Sequence, residues 1–182
     1  INSALGVKAV RYRVWHTKEA EAAYISQLEL QSLLERAMRR AGLPMAFSQG
    51  FHPLPLISFG RALPVGVESQ AEWFSIVLRE PLSAEEVMKR LAPRMLRGLR
   101  LDRLEEIPVN DKSVVSVQET FSLRFVGSDA DRRLFMEAWD DFTATDSLMF
   151  TRETKKGPRT ADIRPLFQVI EWDEHGTLYI VT

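Results

Sequence analysis

Twice in its first half the chain passes from apolar–polar alternation into a Ser-x-x-Glu signature and then into an apolar stripe at helical spacing, an order that few folds can use. Residues 7 to 17 set Val10, Tyr12 and Val14 on one face and Arg11, Arg13 and Trp15 on the other. That is the period of a half-buried strand whose outer face is cationic and aromatic. Ser26-Gln-Leu-Glu29 then predicts a helix start, with the serine oxygen accepting an orphan amide hydrogen while Glu29 reaches back to the cap. Leu30, Leu33, Leu34, Ala37, Met38 and Ala41 recur on one side, opposite Gln31, Glu35, Arg36, Arg39 and Arg40, and Gly42 with Pro44 supplies the stop. The pattern returns at Glu72 to Arg79, where Trp73, Ser75 and Val77 alternate with Phe74, Ile76 and Leu78. So apolar a strand belongs at the centre of a sheet. Ser83-Ala-Glu-Glu86 repeats the capping pattern ahead of Val87, Met88, Leu91, Ala92 and Met95.

Between Leu43 and Val67, Pro44, Pro53, Pro55 and Pro64 alternate with Gly50, Gly60 and Gly66, which predicts an extended hairpin arm broken by turns. Leu99, Leu101 and Leu104 to Ile107 predict a closing strand. The resulting order suits a ferredoxin-like lobe over residues 7–108, an antiparallel sheet with two helices on one face. Residues 109–114 read as a polar linker and 115–182 as a smaller α+β lobe, either an incomplete copy of the first or a cap. In that lobe a strand over 115–126 ends at Gly127. Asp129 or Ser128 caps a helix carrying Leu134, Phe135, Ala138, Trp139 and Phe142. Strands follow near Leu148–Glu153, Phe167–Trp172 and Leu178–Val181, the last two forming a hairpin across 173–176. The fold class is therefore α+β, in two lobes with no sequence repeat between them.

Lys and Arg number 24 against 25 Asp and Glu, so no chain-wide field draws nucleic acid or a membrane, and any such role rests on a local patch. The absence of cysteine excludes disulfides, thiolate nucleophiles, CxxC zinc sites and thiolate-held iron–sulfur clusters within this chain. His16, His52 and His175 stand far apart in sequence, so no metal centre and no cofactor is expected. No apolar run approaches a bilayer span and no charged-then-apolar leader opens the chain, so a cytoplasmic location is the expectation. The opening INSALG has no periodicity and reads as a linker.

Three places can carry chemistry. Ser48 to Gly60 joins Ser48, Gln49 and His52 to rigid prolines in one loop. His52 is the candidate general base, against a plain structural arm filled by Phe51 and Phe59, because no carboxylate lies nearby in sequence. Lys155, Lys156, Arg159 and Arg164, with Arg152, cluster around a Gly-Pro turn able to grip phosphates, against a merely solvated tip. On the first strand Arg11, Arg13 and Trp15 join Arg39 and Arg40 to set charge beside an aromatic platform, as single-stranded nucleic acid requires, against the same side chains packing inside the protein. No P-loop, GxGxxG or GxSxG pattern is present.

The stretch SQLELQSLLERAMRRAGLPMAFSQGFHPLPLISFGRALPVGVES, continuing into AEWFSIVL, resembles the radical SAM-linked protein family, a domain found beside or fused to radical SAM enzymes. KKGPRTADIRPLF is similar to that family's later basic segment. The family shows Ser-His-Leu-Asp where this chain has Ser26-Gln-Leu-Glu29, and Pro-His-Pro where it has Pro53-Leu54-Pro55, so both departures lose a histidine. The resemblance implies a radical SAM protein as partner, an RNA-related setting and no transferable catalytic residue. Lacking cysteine, this chain would be the partner or appended module of such an enzyme. The expected function is a non-catalytic accessory module binding RNA or a ribonucleoprotein. The alternatives are a metal-independent RNA endonuclease using His52, which the first lobe evokes by fold-level analogy with CRISPR repeat-processing endonucleases, and a protein-only adaptor using the proline-rich arm.

Overall fold

The computed structural model describes residues 9–111, 118–173 and 177–181. The chain divides into two compact units, Ile1–Ser113 and Val114–Thr182. Of the linker expected at 109–114, residues 109–111 are described and 112–114 lie outside the described residues, as do 115–117 of the strand expected after it and His175. Both units mix helices with antiparallel sheets, an α+β architecture.

In the first unit, strands β1 (Val10–Lys18), β2 (Ile57–Phe59), β3 (Ser69–Leu78) and β4 (Leu101–Ile107) form one sheet in the order β2-β3-β1-β4, every neighbour antiparallel. Helix α1 (Gln27–Arg40) follows β1 and helix α2 (Ala84–Leu91) follows β3. The capping box of α1 forms as the sequence predicts: the Glu29 amide donates to Ser26 Oγ at 3.3 Å and the Ser26 amide to the Glu29 carboxylate at 2.7 Å. At α2 only the forward half is present, the Glu86 amide donating to Ser83 Oγ at 3.1 Å, because the Glu86 carboxylate instead binds Arg90 Nε. Leu30, Leu34, Ala37 and Met38 of α1 and Val87 and Leu91 of α2 bury against Val10, Tyr12, Val14, Phe74, Ile76 and Leu78. Burying each large side chain of this set is worth about 1.5–3 kcal/mol in transfer free energy.

The segment expected to be a hairpin arm folds back on itself around an antiparallel bridge of Phe47 with Pro55, the Ser48 amide donating to the Leu54 carbonyl at 2.8 Å and the Leu56 amide to the Ala46 carbonyl at 2.9 Å. Its regular strand is Ile57–Phe59, on the edge of β3, and a further bridge ties Met45 to Leu78. Pro44, Pro53 and Pro55 have no amide to donate, which keeps the pairing short.

Near its end β1 departs from strict alternation. Irregularities fall between Trp15 and His16 against β4 and between His16 and Lys18 against β3, and His16, Thr17 and Lys18 are all buried. An irregularity of this kind re-aims side chains that a regular strand would turn to solvent. The His16 ring packs 5.3 Å from that of Phe74, and Nδ1 lies 2.8 Å from the Thr17 carbonyl, so that nitrogen carries the proton of the neutral ring. Burial pushes the imidazole below its ordinary pKa, against the pull of the Thr17 carbonyl and Asp102, with Lys18 adding to the lowering. The unfolded chain therefore takes up the proton more readily than the folded one. Stability held by the neutral ring is full above the ordinary value of about 6.5 and is lost as pH falls below it. Replacing the ring by His16→Phe is expected to flatten the acid side of a plot of melting temperature against pH; an unchanged slope between mildly acidic and neutral pH would show that other groups set it.

In the second unit, β5 (Thr120–Arg124), β8 (Val169–Trp172) and β9 (Thr177–Val181) form an antiparallel sheet in the order β5-β9-β8. Helix α3 (Asp129–Ala144) begins at Ser128, whose Oγ accepts from the Asp131 amide at 3.2 Å. Phe135, Trp139 and Phe142 of α3 join Phe125, Phe167 and Trp172 in a chain of ring contacts, with centroids 5.1–6.2 Å apart. Leu134, expected on this stripe, is instead exposed. A separate hairpin pairs β6 (Met149–Arg152) with β7 (Arg159–Asp162) across the Gly-Pro turn, so a strand the sequence reading did not place follows that turn.

Candidate nucleic-acid interface

The β6–β7 register sets Arg152 directly opposite Arg159, and Phe150 opposite Ala161. Opposed residues of an antiparallel pair share a face, as do residues two apart along a strand, so one face of the ribbon carries Phe150, Ala161 and both arginines. The other face carries Thr151 and Thr160, whose hydroxyls lie 2.8 Å apart. Both faces are exposed over most of their length. The turn closes through Gly157, φ +99°, whose amide donates to the Thr154 carbonyl at 2.9 Å, while Thr154 Oγ1 donates to the Gly157 carbonyl at 2.7 Å. This leaves Lys155 and Lys156 as the two central residues of the turn, both exposed. Asp162 anchors the base, accepting from the Leu148 amide at 2.8 Å and the Arg164 amide at 3.1 Å, and the Leu148 bond, followed by one from Ser147, holds its carboxyl below the usual range.

Four cations thus stand against one carboxylate, Glu153, between Met149 and Ala161. Like charges directly opposite on a strand pair repel, and an isolated two-stranded ribbon is itself marginal. A polyanion laid on this face would relieve the repulsion, while Phe150 offers a stacking plane.

Arg164, expected at the same tip, belongs elsewhere. Its guanidinium donates to the carbonyls of Phe167 and Thr143, each at 3.2 Å, and lies 5.3 Å from the centroid of the Phe142 ring. It holds the turn after β7 to the end of α3.

The residues expected on the first strand are also drawn into the protein's own bonding. Arg11 donates to Ser75 and Ser58 Oγ, and to the carbonyls of Val109 at 3.3 Å and Asp111 at 2.6 Å. Arg13 is buried, pairs with the Asp111 carboxylate at 2.8 Å and sits 4.8 Å from the centroid of Trp73. Trp15 is already covered by the Arg103 guanidinium, 4.3 Å from its ring centroid. Arg39 pairs with Glu35 at 2.7 Å and lies over Phe47. Arg40 alone of this group is exposed with no described side-chain partner, and it lines a groove considered below.

The loop around His52 is closed at its neck. The Ser48 amide donates to the Leu54 carbonyl at 2.8 Å, and the Leu54 amide donates to Ser48 Oγ at 3.0 Å. Gln49, Phe51 and His52 are exposed, and among the described residues no carboxylate hydrogen-bonds to His52. Ser48 thus shapes the loop, while of the two rings expected to fill the arm Phe59 packs against the core and Phe51 is exposed.

Among the described residues, no group of acids and histidines is placed to hold a metal ion, and no helix is long and apolar enough to cross a membrane. Fold and site together define an α+β protein of two units whose second unit projects a cation-rich ribbon. Residues 11–182 match the family described as an uncharacterized protein conserved in bacteria, DUF2344, and the chain belongs to that family. No curated protein matches the chain.

Proposed function

We propose that this chain is a non-catalytic accessory module that binds single-stranded RNA, free or within a ribonucleoprotein, through the β6–β7 ribbon. The observation that carries the reading is the ribbon's exposed face, where Arg152 and Arg159 oppose each other beside Phe150. A stacking ring next to cations is the composition by which single strands are held without strong sequence preference. The partner on this reading is a radical SAM enzyme. What supports it is the resemblance carried by residues 26–78; these 182 residues hold no cysteine, so a thiolate-held cluster would lie in a partner or in an enzyme to which this module is appended. The strand order β2-β3-β1-β4 with a helix after β1 and another after β3 supports reading the first unit as a ferredoxin-like lobe.

The test is fluorescence anisotropy with an unstructured RNA oligomer across a salt series. Each phosphate contact on a single strand contributes about 0.7 to the slope of log K against log salt, so Arg152→Gln/Arg159→Gln should lower that slope by about 1.4 and weaken binding about tenfold at low salt. Phe150→Ala should cost about 1 kcal/mol with RNA of any sequence. Absent binding by the unaltered chain, or a slope indifferent to the double substitution, would remove the ribbon from the function.

A further inference from the structure

A second cationic surface lies on the first unit. Leu33, Arg36 and Arg40 of α1 face Pro93, Arg94, Met95 and Leu96, the turn that follows α2, across an open groove of about 690 Å³. Among the described residues no carboxylate lines it. The neighbouring acids are engaged outside it, Glu35 with Arg39 and Glu86 with Arg90. Arg94 is fixed by two backbone bonds, Nε donating to the Arg40 carbonyl at 2.9 Å and Nη1 to the Arg90 carbonyl at 2.6 Å. That pins the turn to the last turn of α1 and holds one guanidinium in place before any ligand arrives. The side chains of Arg36 and Arg40 are exposed and have no partner among the described residues.

We infer that this groove receives an acidic peptide segment of a partner protein, which sets aliphatic or aromatic anchors on Leu33, Pro93, Met95 and Leu96 and carboxylates against Arg36, Arg40 and Arg94. The charge selects an anion. The floor selects its kind: it is aliphatic and holds no aromatic ring, so it rewards apolar side chains rather than stacked bases. Arginines around an apolar centre, one of them held in place beforehand, are the composition of a protein-binding patch. This inference is independent of the RNA reading, which concerns a different unit and different residues.

The experiment selects a random dodecapeptide phage library on the immobilised full chain, with Arg36→Glu/Arg40→Glu as the counter-selection. The expected result is enrichment of Asp and Glu around Leu, Met or Phe on the unaltered chain only. A synthetic peptide of the selected sequence should lose about tenfold or more in affinity on the variant, the order expected for removing close charge pairs at an interface. RNA binding should be unchanged. Since glutamate at position 40 opposes the dipole of α1, Arg36→Gln/Arg40→Gln serves as the milder variant, and both are compared at equal helicity by circular dichroism. The inference is overturned if no motif emerges, if the motif lacks acids, if the peptide binds both variants as well as it binds the unaltered chain, or if the groove variants weaken an RNA dodecamer instead.

Discussion

Gly98→Ala is expected to destabilise the first unit by about 3 kcal/mol, read as a shift of its denaturant midpoint at constant slope. Two costs coincide at this residue. Its φ of +86° lies in the region L side chains avoid, a penalty of about 1–2 kcal/mol. A Cβ there would also sit 2.0 Å from the Glu19 carbonyl oxygen and 3.1 Å from the Ala22 side chain. That oxygen cannot simply move aside, because it accepts from the Ala22 amide at 3.0 Å, and the Glu19 amide in turn donates to the Gly98 carbonyl at 2.9 Å. Retreat would loosen the end of β1, where His16, Thr17 and Lys18 are buried. Gly42→Ala is the control: φ is +62° but nothing lies within 4 Å of its Cβ, so it should show the backbone penalty alone, about 1 kcal/mol. Equal losses at the two positions would mean that the contact with Glu19 relaxes freely.

How much of this was readable in sequence follows from how local each determinant is. The helix starts depend on residues three apart, so Ser26 with Glu29 and Ser83 with Glu86 announce them without knowledge of the rest of the chain. The buried face of β3 is equally local: Phe74, Ile76 and Leu78 alternate and all are wholly buried. The burial of Thr17 was not legible, because it comes from pairing irregularities set by two neighbouring strands, and alternation alone turns Thr17 outward. The site divides in the same way. Composition singled out Lys155, Lys156 and Arg159, but the facing of Arg152 and Arg159 needs the register of the hairpin. A local signal was there to be used, since Phe150-Thr151-Arg152 and Arg159-Thr160-Ala161 mirror each other about the turn. Arg164 reads as part of the same cluster because it follows closely in sequence, yet the bend after β7 carries it to the Thr143 carbonyl.

Arg13→Ala separates the two roles that a cationic strand face can have, and it is expected to cost stability, about 2 kcal/mol, while leaving RNA affinity unchanged. The guanidinium makes a charge-assisted bond to Asp111 at 2.8 Å, a contact worth about 1.5–3 kcal/mol, and lies against the Trp73 ring, worth about 0.5–1 kcal/mol more. Against this, truncation releases a buried charge whose Nε has no hydrogen-bond partner among the described residues, and Asp111 retains partial access to water, so the sum is discounted. Arg13→Met should cost less than Arg13→Ala, because it keeps the stem that packs on Trp73. Together with Arg11, whose guanidinium binds the carbonyls of Val109 and Asp111, Arg13 fastens the segment that leaves β4 back across the sheet. A face committed to holding its own chain has few donors left for phosphate. If Arg13→Ala instead weakened RNA binding and lowered its salt slope at unchanged stability, the strand face would carry the ligand and the fastening would be incidental.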